Sequence, residues 1–375
     1  MPFADQLINR QAATSLRDAV RGVVPGADLP RLTEAAGGLD GLALRERADL
    51  LRDALLTDLP GSYPELARIV RAARDTDPAF TGWLIWPVTS AIATRAVRDG
   101  SDGAFDDAMA LLAELTGRLT AEFAIRVLLR HDVDRALVIA QGWTGSADPD
   151  VRRLASEGTR PYLPWSTRVP ALITRAGATV PLLDALYRDD SDYVRRSVAN
   201  HLNDLSRDHA DLVVAAARRW LAEPDVNTGA VVRHGLRTLI KKGHPDALAT
   251  LGFAPASIDV EGPVLRDDTV ALGGLLGFSA TLHNTGSEPA RLAVDYVVYH
   301  RKADGSQSGK TFKLATRTLQ PGETVTVARE HSFRLITTRR YHLGEHAVAL
   351  QVNGVATARA VFHLVDTMNT MDTDG

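Results

Sequence analysis

The hydrophobic period of this chain changes once, after Phe253, and that change limits the folds open to it. Before it, apolar residues recur every three or four positions: Leu112, Leu115, Leu119 and Phe123 follow one another in LLAELTGRLTAEFAIRVLL. Such spacing marks one face of a helix. Proline and glycine cut the stretch into helices of roughly 10–18 residues. After Phe253 the period drops to two, in short runs rich in valine, threonine, tyrosine and phenylalanine, with NTGSEP, ADGS and QPGE between them. HAVALQVNGVATARAVFHLV reads as a closing hairpin around Asn353-Gly354. The expectation is a multidomain, mostly α chain, with a helical domain over 1–255. An immunoglobulin-like antiparallel sandwich of about seven strands should occupy 258–366. The polar end, 367–375, is expected to be disordered.

Within the helical part there is a repeat. DPDVRRLASEGTR (148–160), DSDYVRRSVANHLND (190–204) and VVRHGLRTLIKKG (231–243) align on Val151, Val194 and Val232. A period near 40 residues is that of HEAT-like solenoids, whose units bury an apolar face against their neighbours and expose a long concave surface. At 100° per residue, Leu154, Ala155 and Gly158 share the side of Val151, while Arg153, Glu157 and Arg160 lie opposite. The equivalent positions are Arg196, Asn200 and Asn203, then His234, Thr238 and Lys241. The stripe is polar and mostly cationic, and Glu157 is its acidic exception.

Composition narrows the chemistry. The chain has no cysteine, so disulfides, thiol catalysis and cysteine-ligated zinc are excluded. No apolar run is long enough to span a membrane as a helix. MPFADQLINR lacks the basic-then-apolar pattern of a signal peptide, and a bacterial-type cytoplasmic location is expected. Net charge is -3, but residues 120–253 hold 18 Lys and Arg against 16 Asp and Glu and are the net-positive part. Cations at 152, 153, 160, 195, 196, 233, 237, 241 and 242 could simply solvate helix faces; their recurrence at one repeat position favours phosphate contact. Walker, GxGxxG, GxSxG and HExxH motifs do not occur. His342 and His346, in YHLGEH, are read as accidental spacing, not a metal site.

Three residues admit two readings each. Glu157 can be an i,i+4 partner of Arg153 on a solvated helix, and Glu122 a first-turn acid or a partner of Arg126. Trp165 can cap the repeat core, or be presented at a site by a chain held extended between Pro161 and Pro164. Trp83 and Trp86 read as core.

TAEFAIR, VRRLASEGTRPYLPW, YVRRSVANHLNDLS, RHGLRTLIKKG and SFRLITTRRY, in that order, resemble the AlkC-type DNA glycosylases, of the HEAT-like alkylation-repair superfamily that includes AlkD. The resemblance spans nearly the whole chain. It departs at VLLRHD, where a proline is expected, and at Gly235, where alanine is commoner. It implies hydrolysis of the N-glycosidic bond of cationic alkylated bases, such as 3-methylcytosine and 3-methyladenine, without base flipping. Other glycosylases extrude their target. It places Glu122, Glu157 and Trp165 at the chemistry, with Asp204 beside the DNA. Arg152, Arg153, Arg160, Arg195, Arg196, Asn200, Arg233, His234, Arg237, Lys241 and Lys242 would contact DNA from the repeats. Arg339 and Arg340 would do so from the sandwich, where Arg301, Lys302 and Lys310 offer further cations. The partner implied is duplex DNA bearing an alkylated base, met by a monomer with no obligate protein partner, no membrane, no metal and no organic cofactor. The alternatives are a non-catalytic HEAT-repeat scaffold for DNA or protein and, less consistent with the start of the chain, a sandwich-led carbohydrate- or surface-binding protein.

Overall fold

The computed structural model describes residues 4–336 and 339–366. The chain forms two compact units, Met1–Gly235 and Leu236–Gly375. The first is a solenoid of short helices whose ends follow local chemistry. Asn9 accepts from the Ala12 amide at 2.9 Å to start the helix Arg10–Val23. Ser62 and Glu65 form a capping box for Tyr63–Thr76, and Gly100, with φ 76°, ends Ile85–Asp99. Leu111, Leu112 and Leu115 are fully buried on Asp102–Thr116. The helix stops there, however, and Leu119 to Ala124 run through turns before Ile125–His131 begins. The apolar spacing carried on across a break in the backbone.

The three aligned segments form the helices Pro149–Glu157, Asp192–Leu205 and Thr228–Gly235, which pack side by side in that order. Val151, Val194 and Val232 all point into the core. Two glycines permit the close packing. A Cβ on Gly158 would lie 2.8 Å from Cγ2 of Ile125, and one on Gly235 would lie 2.7 Å from Cδ2 of Leu202. Alanine at 235 would therefore collide with the neighbouring repeat. The first helix ends at Glu157, so Arg160 follows a turn and the helical projection does not apply to it.

The second unit begins with the helices Arg237–Lys241 and Pro245–Thr250. Its strands are β1 (Ile258–Leu265), β2 (Thr269–Ala271), β3 (Leu275–Asn284), β4 (Ala290–Arg301), β5 (Gln307–Leu319), β6 (Thr324–Ser332), β7 (Gly344–Val352), β8 (Val355–Ala356) and β9 (Ala360–Val365). One sheet runs β1-β3-β6 and the other β2-β9-β7-β4-β5, with β8 on β7. All pairs are antiparallel except β2 with β9. This is an immunoglobulin-like sandwich with two short strands more than the seven expected. Alternate residues form its core: Leu276, Phe278, Ala280 and Leu282 from β3 meet Leu292, Val294, Tyr296 and Val298 from β4. Asn353 and Gly354 turn β7 into β8 with φ of 43° and 87°, both positive as a two-residue type I′ hairpin requires.

The sequence places the domain boundary near residue 255, where helices do give way to strands. The compact units divide twenty residues earlier, because the last two helices pack with the sandwich. Arg291 donates to the Leu251 carbonyl at 3.2 Å and lies over the Phe253 ring, and Asn353 donates to the Ala254 carbonyl at 2.8 Å. The tail 367–375 lies outside the described residues.

Candidate active site

Glu122 sits on the turn before Ile125–His131. Thr120 fixes it twice: its hydroxyl accepts from the Glu122 amide at 3.2 Å and donates to Oε2 at 2.9 Å. Arg126, one helical turn on, does not pair with it. Arg126 is fully buried and donates to the carbonyls of Gly158, Arg160 and Thr167, pinning both ends of the loop that carries Trp165. Burial, helped by Arg168 and Arg160, lowers its pKa to about 10.

From Glu122 a chain of alternating charge crosses the repeats. Arg153 donates to Glu122 Oε2 and, at 3.2 Å, to the Thr120 hydroxyl, while its other terminal nitrogen lies 3.6 Å from Glu157 Oε1. Arg160 donates to the same Glu157 oxygen at 2.6 Å and clasps Asp204 with two bonds, at 2.9 and 3.2 Å. Ser197 donates to Glu157 Oε2 at 2.7 Å, so in the bond between the Ser156 and Ser197 hydroxyls, whose oxygens lie 2.6 Å apart, Ser156 is the donor. Beneath them His201 is wholly buried against the Ser156 carbonyl and the Thr179 hydroxyl. Burial drops its pKa to about 4, so it is neutral at pH 7.

Three carboxylates and two guanidiniums leave this chain one net negative charge. Glu157 and Asp204 have both oxygens bonded. Glu122 has one engaged; its Oε1 has no hydrogen-bond or ion-pair partner among the described residues. Burial, with a contribution from Glu157, raises the Glu122 pKa above its usual range, against the pull of Arg153. The two glutamates flank a single guanidinium, and for both Arg153 and Arg160 the carboxylates more than offset the penalty of burial.

Trp165 stands 47% exposed with φ 59°, a left-handed conformation that a bulky residue adopts only when its surroundings impose it. The chain between Pro161 and Pro164 is turned, not extended. The indole borders a cleft of about 260 Å³ whose lining includes Trp86, Phe123, Arg45, Arg52 and Arg130. Trp86 stacks on Phe123 at 3.8 Å, and Phe123 follows Glu122 in the chain.

The expected DNA-contacting cations divide. Arg153 and Arg160 serve the carboxylates. Arg152 is held by Asp189 at 2.6 and 3.0 Å, and Arg195 donates to the carbonyls of Asp189 and Asp190. Asp204 is buried under Arg160, not at the surface. Arg196 is exposed, though 3.1 Å from Asp192; Arg233 is exposed, and Asn200 and His234 are half-buried. In the second unit Lys241 and Lys242 are exposed and Arg237 is half-buried. Arg339 and Arg340 line a sandwich pocket of about 360 Å³ with Arg301, Lys302, Lys310 and two histidines and, among the described residues, no acidic one. Arg339 donates to His300, which burial and Arg339 push down to about pKa 3. His342 and His346 meet through a carbonyl, the His346 ring donating to the His342 backbone at 2.8 Å.

Sequence reasoning missed Ser197 and Tyr193, and gave Arg126 and Phe123 other parts, as a partner of Glu122 and as a member of an apolar helix face. Tyr193 is 46% exposed and lies over the Arg153 guanidinium at 4.9 Å. Ser197, three residues from Val194, could have been found from its place on the inward side; Tyr193 gave no signal of this kind.

Residues 259–366 match the family model of the C-terminal Ig-like domain of the uncharacterised protein YhaZ. YhaZ of Bacillus subtilis (strain 168) is 31% identical over 352 residues, 93% of this chain and 96% of the relative. Among solved structures, Pseudomonas fluorescens alkylpurine DNA glycosylase AlkC, bound to DNA containing an abasic site analog, superposes with a TM-score of 0.80 at 33% identity. That match covers 97% of this chain and 100% of the other.

Proposed function

This chain belongs to the AlkC-type family that includes YhaZ, and from that premise we propose that it is a DNA glycosylase removing cationic alkylated bases. The observation that carries the reading is the free Oε1 of Glu122, at the end of a buried charge chain one cation short of neutrality. An alkylated base such as 3-methyladenine or 3-methylcytosine is already positive. When its bond to C1′ breaks, the bonding electrons neutralise the base and positive charge moves to the deoxyribose. Carboxylates held in place beside that sugar stabilise the charge without reorganising. Water then adds to C1′, and Glu122 Oε1 orients it and takes its proton.

Glu157 supplies fixed negative charge behind Glu122, held by Ser197 and Arg160. Asp204 acts through Arg160 and not on DNA directly. Trp165, with the rings of its cleft, offers an aromatic face to a cationic nucleotide. Because the leaving group carries its own activation, no metal or organic cofactor is called on, and the base need not leave the helix to be protonated. Arg196, Arg233, Lys241, Lys242 and the sandwich cations around Arg339 and Arg340 are the phosphate contacts in this reading.

Release of free base from duplex DNA carrying one 3-methyladenine, and from a second duplex carrying one 3-methylcytosine, tests the reading. Wild-type protein should release one or both, and Glu157→Gln should bind the same duplexes with most release lost. If the wild type binds but releases neither, the chain is a DNA-binding scaffold and the proposal fails.

A further inference from the structure

The two guanidiniums of the charge chain are held differently. Arg160 makes three charged bonds, two of them to one carboxylate, and its side chain is 9% exposed. Arg153 bonds one oxygen of Glu122, stands 3.6 Å from Glu157, and is the more exposed of the two. The partly exposed ring of Tyr193 lies over its guanidinium at 4.9 Å. Arg160 is built in; Arg153 is held by fewer charged bonds and is the nearer of the two to solvent.

We propose that Arg153 is a displaceable internal cation, occupying the carboxylates until a positively charged nucleotide takes its place, and that Tyr193 holds it there. The inference rests on the glycosylase reading and adds a basis for substrate choice. A nucleotide that brings a positive charge can repay the loss of Arg153 from Glu122 and Glu157. A neutral nucleotide offers the carboxylates nothing in exchange and is rejected before chemistry, since leaving a buried charge unpaired is costly. Arg153 and Tyr193 are thus specificity-determining residues that need not touch the reacting atoms.

The test compares affinities for two abasic duplexes at pH 8. One carries a pyrrolidine sugar analogue with a protonated ring nitrogen, the other a neutral tetrahydrofuran analogue. The reading is the ratio of cationic to neutral affinity. Tyr193→Leu changes no charge but loosens Arg153, and should raise the ratio about threefold, the size of a cation–π contact. Arg153→Met removes the competitor and should raise it about tenfold, the size of a partly buried charge coupling. Melting curves check whether each variant is folded; should Arg153→Met not fold, Tyr193→Leu decides alone. An unchanged or lower ratio in folded Tyr193→Leu overturns the proposal. Absence of base release by the wild type would instead remove the glycosylase reading, and the affinity ratio would still report whether Arg153 competes with a cation.

Discussion

At the scale of single residues, the site depends on the difference between two glutamates that look alike in sequence. Glu157 is fully bonded and fixed; Glu122 keeps one oxygen open and holds its proton more tightly than an ordinary glutamate. The pH dependence follows with a definite sign. The proposed chemistry needs Glu122 ionised, so base release should fall as pH is lowered through a pKa above the ordinary glutamate value. Single-turnover release between pH 5 and 8, corrected for spontaneous loss of the base, should show this limb, and Glu122→Gln should abolish it. A flat profile in the wild type would contradict an active carboxylate at 122. The contact between Tyr193 and Arg153 was not legible in the sequence. A chain position says nothing about which cation finds which acid across a repeat.

At the scale of elements, the repeats and the change of period were readable because they are local patterns, set by which side chains must face the core. Val151, Val194 and Val232 pointed inward as their spacing required. The cationic stripe was read as a phosphate-contacting face; that Arg153 and Arg160 are instead held by buried carboxylates has a physical reason that sequence cannot reveal. The loop after Glu157 and the helix Asp192–Leu205 come close enough to bury Arg160 and Asp204. Helix ends misled in the same way: Leu119 and Phe123 keep helical spacing across turns, and Arg160 follows a turn where the projection assumed a helix. Gly235, a departure from the family pattern, is explained by its neighbour. Gly235→Ala should cost about 1–3 kcal/mol through overpacking against Leu202. Denaturant titration of the helical unit checks this; an unchanged midpoint would mean Leu202 yields freely.

For the whole molecule, the charge is organised as two populations. One is internal, pairing Arg152, Arg153 and Arg160 with buried acids, and it cannot serve as a general DNA-binding surface. The other is exposed: Arg196 and Arg233 in the helical unit, and the acid-free cluster of the sandwich. Salt dependence separates them. Replacing Lys302, Lys310 and Arg340 together by alanine should reduce the salt slope of duplex binding by about 2–3, and Arg196→Ala should reduce it by about 1. Equal slopes for variant and wild type would remove those residues from the phosphate-contacting set. The net charge of -3 conceals the small positive excess of residues 120–253. Neither could show which cations were free, since that depends on pairs formed between residues some forty positions apart.

The most direct test of the account is single-turnover base release by Glu122→Gln, with binding to an abasic duplex measured on the same preparation. Release from 3-methyladenine DNA should fall about 100-fold or more, the size of a lost general base, while abasic affinity stays within about twofold. Release at the wild-type rate would contradict a catalytic Glu122, because the open carboxylate oxygen of the buried charge chain would then have no part in the chemistry.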